Sequence, residues 1–382
     1  MLRVAHLSPS IRPVLGGTES YLVILSSSLR KLGISSELVA LCDTRKWKGT
    51  RHLKDRRLNG THALVWPSYP IGVLHRATQV AVMANYIPAY VSDLRRHLRA
   101  FDILHFHDEI DLSLPISLRG VKKGKLLTFH TLCETLPLYQ VNPIARKMLT
   151  TSATMFHVFS NRDKNSLLEL GVEPEKIRIV PHGVDLHEFR ARNTQSQEGR
   201  ARIAAISRIE RRKGVMDLLA AARILKMHSA AGSFDIRIVG PVADERYYHE
   251  LLEYKRRMHL DEVTFVGTLP VGGIASFLQQ SSIFVLPSWR ECFPVVNLEA
   301  MASSLPVVST NVGGAQEEIA DNETGFLIPP NDPKSLAEKL SVLINDHRLR
   351  KRMGRNGRKR VESLFSIERT TRMIVDIYAE LA

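Results

Sequence analysis

The chain is poor in cysteine and has no long apolar run. Its 382 residues contain three cysteines, Cys42, Cys133 and Cys292, odd in number and without metal-ligand spacing. That pattern fits a reducing compartment and gives no sign of a zinc site. No stretch supplies the roughly 18 uninterrupted apolar residues a membrane-spanning helix needs. The opening residues, MLRVAHLSPS, lack the apolar core of a signal peptide and read as a first strand. A cytoplasmic protein is therefore expected. Two ligand motifs are missing as well. There is no GxxxxGK[ST] phosphate loop and no DxD pair to hold a divalent cation.

Positive charge is abundant, with a net charge of +14 and a pI near 9.8. Such a balance favours acidic partners: phosphates, anionic lipid or nucleic acid. Part of it is local. Seven Lys or Arg lie between Arg45 and Arg57 against one acid, Asp55, and eight lie between His347 and Arg360 against none. Solvated faces account for runs of this kind, and so does contact with a membrane surface or an acidic acceptor. Apart from Trp47 the runs lack interleaved aromatics, which leaves nucleic-acid binding supported by charge alone.

The hydrophobic content of 44% and charged content of 24% are those of a globular protein, and the length calls for two domains. Short β-branched runs alternate with helical patterns from RVAHLSP to KIRIVP. The rhythm restarts at RIAAISRI and runs through DIRIVG, VTFVG, IFVLPS, PVVST and GFLIPP. Alternation of this kind predicts parallel sheets covered by helices, an α/β fold. The expected boundaries are 1–189, a linker over 190–202, a second domain over 203–364 and a last helix over 365–382. In such sheets ligands gather beyond the carboxyl ends of the strands.

Unusual residues fall at those ends. Gly16 and Gly17, in VLGGTES, follow the first strand and open a helix whose free amides suit an anion, although the turn is not GxGxxG. Arg208 and Lys213 follow the first strand of the second half. Together they carry +2, enough to offset a diphosphate diester. In WRECFPVVNLEAM, proline is welcome at a first helical position, so a helix is expected from Pro294, with Glu291 in the preceding loop and Glu299 in the second turn. Cys292 or Phe293 stands where a capping side chain is usual. The amides of Val295, Val296 and Asn297 then lack an evident acceptor, which a ligand can supply. Two carboxylates beside such amides suit a ligand rich in hydroxyls with a phosphate attached. Paired carboxylates for glycosidase chemistry are the rival reading, which leaves the basic pair unexplained.

These pieces in order, LGGTES, VPHGVDLHEF, SRIERRKG and ECFPVVNLEAMASSLPVVSTNVGGAQEEIADNETGFLIPP, resemble the GT-B fold glycosyltransferases of family 4 over nearly the whole chain. The resemblance implies two facing Rossmann-like domains with a donor cleft between them. It also implies retaining transfer of a hexosyl unit from a UDP- or GDP-sugar to a glycan, a lipid-linked sugar or a small molecule. Residue by residue, it implies that Glu299 binds the ribose, Glu291 holds the transferred sugar, and Arg208 and Lys213 neutralise the diphosphate. Gly17 would touch the phosphates, and His130 matches a histidine near the donor sugar. Glu317 matches a glutamate without an assigned role. His107 is a weaker acceptor-side candidate, for which packing is an equal reading. His182, Ser304 and Cys292 depart from the usual Asn, Gly and Gly. No metal or other cofactor is expected, since Arg208 and Lys213 stand where a cation would act. A GT-B epimerase or phosphorylase is the alternative. The basic run at Arg45–Arg57 and the apolar segment IGVLHRATQVAVMANYIPAYV read first as a long acceptor-domain loop followed by a core helix, and also suit peripheral docking on an anionic membrane.

Overall fold

The computed structural model describes residues 1–8, 17–43, 51–53, 63–70, 86–88, 91–107, 123–130, 132–191, 200–228, 233–270 and 272–382. Gly16, most of the basic run at 45–57 and most of the apolar segment at 71–91 lie outside them. The chain divides into two units, Met1–His182 with Ile367–Ala382, and Gly183–Ser366.

The first unit is built on a nine-stranded sheet of β1 (Arg3–Ser8), β2 (Ser35–Asp43), β3 (Arg51–Leu53), β4 (Ala63–Pro70), β5 (Tyr86–Pro88), β6 (Ile103–His107), β7 (Gly124–Thr128), β8 (Met155–Val158) and β9 (Ile177–Ile179). The order is β3-β4-β2-β1-β6-β7-β8-β9, with β5 also on β4. β3 and β5 run antiparallel to β4, and the remaining pairs are parallel. Counting parallel strands, the sequence β4-β2-β1-β6-β7-β8 has the doubly wound order 3-2-1-4-5-6. Helix Gly17–Lys31 makes the first crossover and stops at Gly33, whose φ of +76° only glycine adopts without strain.

The two faces of this sheet differ. Ala5, Leu7, Leu104, Phe106, Leu127, Phe156 and Val158 join one apolar core. The alternate positions carry polar groups beside the apolar Val4, Ile103 and Leu126, because side chains on a strand switch faces at every residue. Register pairs His6 with His105, His107 with Thr128, and Thr128 with His157, so these five share one face. Helix Ile367–Leu381 closes the unit, burying Ile367, Thr370, Thr371, Ile374, Ile377 and Tyr378 at helical spacing. Gly124 lets the end of that helix approach, since a Cβ there would stand 2.6 Å from the Leu381 carbonyl oxygen.

The second unit carries β10 (Ala201–Ile206), β11 (Phe234–Val239), β12 (Val263–Gly267), β13 (Ile283–Leu286), β14 (Val307–Thr310) and β15 (Gly325–Ile328). They are all parallel, in the order β12-β11-β10-β13-β14-β15, again 3-2-1-4-5-6. Each unit is thus Rossmann-like. Order reverses between β10 and β13, and the crevice beyond their carboxyl ends is where such a sheet receives a ligand.

Candidate active site

In the second unit two of the predicted residues, Lys213 and Glu291, meet at that reversal. Lys213 follows β10 in a short 3-10 turn, Arg211–Lys213, closed by Gly214 at φ +65°. A Cβ on Gly214 would lie 1.9 Å from the Pro287 carbonyl oxygen, so glycine is what allows the β10 and β13 loops to touch. The β13 loop is tied down further. Trp289 donates its indole N–H to Asp217 Oδ2 at 2.6 Å and its amide to the Arg212 carbonyl at 2.8 Å. Thr310 Oγ1 donates to the Ser288 carbonyl at 2.5 Å. Glu291, in the same loop, accepts from Lys213 Nζ at 2.6 Å, with both side chains 13% exposed. Arg208 is half exposed and pairs with Glu210 at 3.1 Å.

The next helix runs Val295–Ala302, with Pro294 as its N-cap and no capping side chain. It starts one residue later than expected. Moreover, the Asn297 amide bonds the Pro294 carbonyl at 2.9 Å, so it is not one of the amides left for a ligand. The Asn297 side chain points into the interior, donating to Glu318 Oε2 at 2.8 Å. Phe293 is buried too. Its ring fills the space at Gly314, where a Cβ would meet Phe293 Cδ2 at 2.4 Å. Glu299, in the second turn, is partly buried, and desolvation together with the nearby Glu188 carboxylate raises its pKa to about 7. Glu318 is fully buried and lifted well above the carboxylate range, chiefly by desolvation. Glu317 sits in the turn Ala315–Glu318, where Arg360 holds the carbonyls of Glu317 and Glu318, each at 2.8 Å.

In the first unit the polar sheet face is a hydrogen-bonded ladder. Burial lowers His157 to about 4 and, with the neighbouring histidines, holds His105 well below the usual imidazole value, so both rings are neutral near pH 7. One carbonyl then fixes every proton. His157 Nε2 must donate to the Val180 carbonyl at 2.8 Å, leaving Nδ1 to accept from Thr128 Oγ1 at 2.7 Å. The Thr128 oxygen in turn accepts from His105 Nε2 at 2.5 Å, and His105 Nδ1 accepts from the Tyr378 hydroxyl at 2.6 Å. A second chain joins His6 Nδ1 to His107 Nε2 at 3.0 Å and His107 Nδ1 to His130 Nε2 at 3.2 Å. His6 Nε2 ends it without a partner among the described residues. A buried orphan donor is rarer than an under-used acceptor. The protons therefore run from His6 through His107, and His130 presents an Nδ1–H. Its ring lies among Tyr21, Phe159 and His182, the last stacked on Phe159 at 3.8 Å.

His6, His105 and His107 each offer a ring nitrogen within 4.8 Å of the others, the one cluster of metal-ligand type among the described residues. Both His105 nitrogens are already committed to Tyr378 and Thr128, and His6 Nδ1 and His107 Nε2 to each other. The arrangement is that of a hydrogen-bonded network.

Comparison with known proteins settles the family. Residues 15–188 match the model described as glycosyltransferase family 4, and residues 187–360 the one described as glycosyl transferases group 1. Among curated relatives, the capsular polysaccharide biosynthesis glycosyltransferase CapM of Staphylococcus aureus is 30% identical over 240 residues, 60% of this chain and 62% of CapM. The chain thus spans less than two thirds of that relative. The D-inositol 3-phosphate glycosyltransferase of Corynebacterium efficiens is 24% identical over 98% of this chain and 93% of its own. Two solved structures show the fold: sucrose-phosphate synthase from Thermosynechococcus elongatus (TM-score 0.79, 21% identity, 100% and 99% covered) and Anabaena HepE with UDP-glucose (TM-score 0.79, 17% identity, 100% of both). The chain belongs to the GT-B fold glycosyltransferases.

For this glycosyltransferase the structure brings Lys213 and Glu291 into direct contact, with Arg208 in the loop after β10 and Glu299 in the second turn of the helix that follows the β13 loop. Gly17 is the first residue of its helix. His107 is 1% exposed and, among the described residues, hydrogen-bonds His6 and His130. The sequence reading missed the Lys213–Glu291 ion pair, the Trp289–Asp217 bond and the histidine ladder. A signal for the ladder was present in ILHFH, where His105 and His107 alternate on one strand.

Proposed function

We propose that this glycosyltransferase moves a hexosyl unit from a UDP- or GDP-sugar to a hydroxyl acceptor, with retention of anomeric configuration and without a metal ion. The observation that carries the reading is the buried Lys213–Glu291 pair, which joins the loops after β10 and β13, the two strands between which the order reverses. Lys213 has three N–H donors and uses one on Glu291, leaving two for phosphate oxygens. Arg208, half exposed, adds a planar fork that suits the same group. Their fixed charges take the place of a cation at the departing diphosphate. Glu299 accepts from the ribose hydroxyls, and Glu291 holds the sugar from the loop that Trp289 anchors. Support for UDP comes from HepE, whose structure holds UDP-glucose. The relatives' names support a glycan or a small hydroxyl compound as acceptor.

Retention follows if the departing phosphate takes the acceptor's proton on the same face from which the acceptor attacks. The acceptor oxygen bonds the anomeric carbon as the carbon–phosphate oxygen bond breaks, and the proton passes to that oxygen. Arg208→Ala and Lys213→Ala should each lower kcat about 10²-fold or more, comparable to losing one oxyanion donor. Steady-state turnover of UDP- and GDP-hexoses with chelator present, with product configuration read by NMR, tests the whole reading. Full activity in both variants, an inverted product or abolition by chelator would each overturn the corresponding part.

A further inference from the structure

The second unit carries a charged surface that the donor site does not use. Helix His347–Leu364 is amphipathic in an uncommon way. Its inner face buries Arg350, Met353, Gly354, Gly357 and Val361. On the opposite face stand Arg348, Lys351, Arg352, Arg355 and Lys359, all exposed. At about 100° per residue these five occupy a stripe roughly 100° wide and about 16 Å long. Among the described residues none of them forms an ion pair or a side-chain hydrogen bond. The other basic residues of the helix are occupied. Arg350 holds the Leu343 and Ile344 carbonyls, Arg358 holds Glu362 and the Phe189 and Ala302 carbonyls, and Arg360 holds the Glu317 and Glu318 carbonyls.

This stripe opposes the stability of its own helix. Arg348–Arg352, Lys351–Arg355 and Arg355–Lys359 are like-charge pairs four residues apart, and each weakens a helix. Arg348 and Lys351 also lie near the helix N-terminus, where the macrodipole disfavours positive charge. An anionic plane relieves both effects at once. No aromatic interrupts the stripe to stack on a base, and no Asn or Gln lies within it to read a base edge. A sheet of headgroup phosphates needs only point charges.

We propose that the Arg348–Lys359 face of this helix docks on an anionic lipid surface. Contact is electrostatic, since the stripe offers no large apolar side chain for insertion. The docking would hold the enzyme at the layer where a lipid-linked acceptor resides.

The test is co-sedimentation of the full-length protein with phosphatidylcholine vesicles, with and without phosphatidylglycerol, across a salt series. Partitioning onto the phosphatidylglycerol vesicles alone, falling as salt rises, is expected. Replacing all five residues by Gln should reduce it about fivefold per charge, hence by up to about three thousandfold. The thermal midpoint of that variant should hold or rise as the repulsion is removed, which shows that it folds. R348K/R352K/R355K keeps the charges without the guanidinium fork and should bind as the wild type does. Wild-type partitioning by the five-Gln variant would overturn the proposal. So would loss of binding in the Lys variant, or a preference for duplex oligonucleotide over vesicles at equal salt.

Discussion

Glu299 has a carboxyl with a pKa of about 7, raised by desolvation and by Glu188. In the unfolded chain the group ionises near the ordinary glutamate value, so between there and about pH 7 the folded state holds more protons than the unfolded one. Stability at this position is therefore lost as pH rises across that window and stays reduced above it. Donor binding runs in the opposite direction, because ribose hydroxyls donate best to an ionised carboxylate. Glu299→Gln should raise the midpoint of the ligand-free protein at pH 8, leave it nearly unchanged at pH 4, and remove most of the affinity for the nucleotide. In the wild type, affinity for UDP- or GDP-hexose, whose diphosphate diester does not titrate in this range, should increase from pH 6 to pH 8, and in the variant it should be flat. Calorimetric titration at several pH values measures both. A wild-type affinity that falls with pH would contradict the role given to Glu299. Charge and spacing single out Glu291, Glu299, Arg208 and Lys213 in the sequence. That Lys213 bonds Glu291 is not legible there, because the contact depends on Gly214 allowing two loops distant in sequence to touch.

Strands and helices were legible from short apolar runs and glycine stops, whereas the register between strands was not. Register decides that His6, His105, His107, Thr128 and His157 share one face, and no local pattern encodes it. The start of helix Val295–Ala302 shows a smaller gap of the same kind. Proline is acceptable both as N-cap and as first helical residue, so propensity alone leaves the choice to the loop packed on it. The ladder yields its own prediction. Tyr378→Phe removes the single donor to His105 Nδ1 and leaves that nitrogen buried without a partner, since Thr128 already holds Nε2. A buried group stripped of its partner costs about 1–3 kcal/mol. Urea unfolding of the first-unit transition should show that loss with an unchanged slope. Imidazole nitrogen chemical shifts in the wild type should report His105 and His157 as Nε2–H tautomers. An Nδ1–H tautomer at His157 would break the chain of reasoning at its origin, the Val180 carbonyl.

For the molecule as a whole, the restart of the alternating pattern near residue 200 made two Rossmann-like units legible. Contacts assign Gly183–Arg190 to the second unit, beyond what the rhythm of strands shows, because Val184 pairs with Ser366 and Phe189 accepts from Arg358. The second unit is thus continuous in sequence, while the first is completed only by Ile367–Ala382. This asymmetry leads to a test of where donor affinity resides. Arg208, Lys213, Glu291 and Glu299 all belong to Gly183–Ser366, and so do the groups that position them: Gly214, Trp289, Asp217 and Thr310. The unit has its own buried core, from Ala201 to Met353, and ends where the closing helix of the first unit begins. A fragment of residues 183–366 should therefore fold cooperatively and gain thermal stability from the nucleoside diphosphate alone. At about 100 times its Kd, that ligand adds about 2.7 kcal/mol. The complementary truncation, residues 1–366, strips the cover from the histidine face and exposes the apolar residues packed against Ile374, Ile377 and Tyr378. Its first-unit transition should disappear while the nucleotide-dependent one remains. A fragment that folds yet shows no shift with UDP, GDP or ADP would move the affinity out of the second unit, and the roles given to Arg208 and Glu299 would go with it.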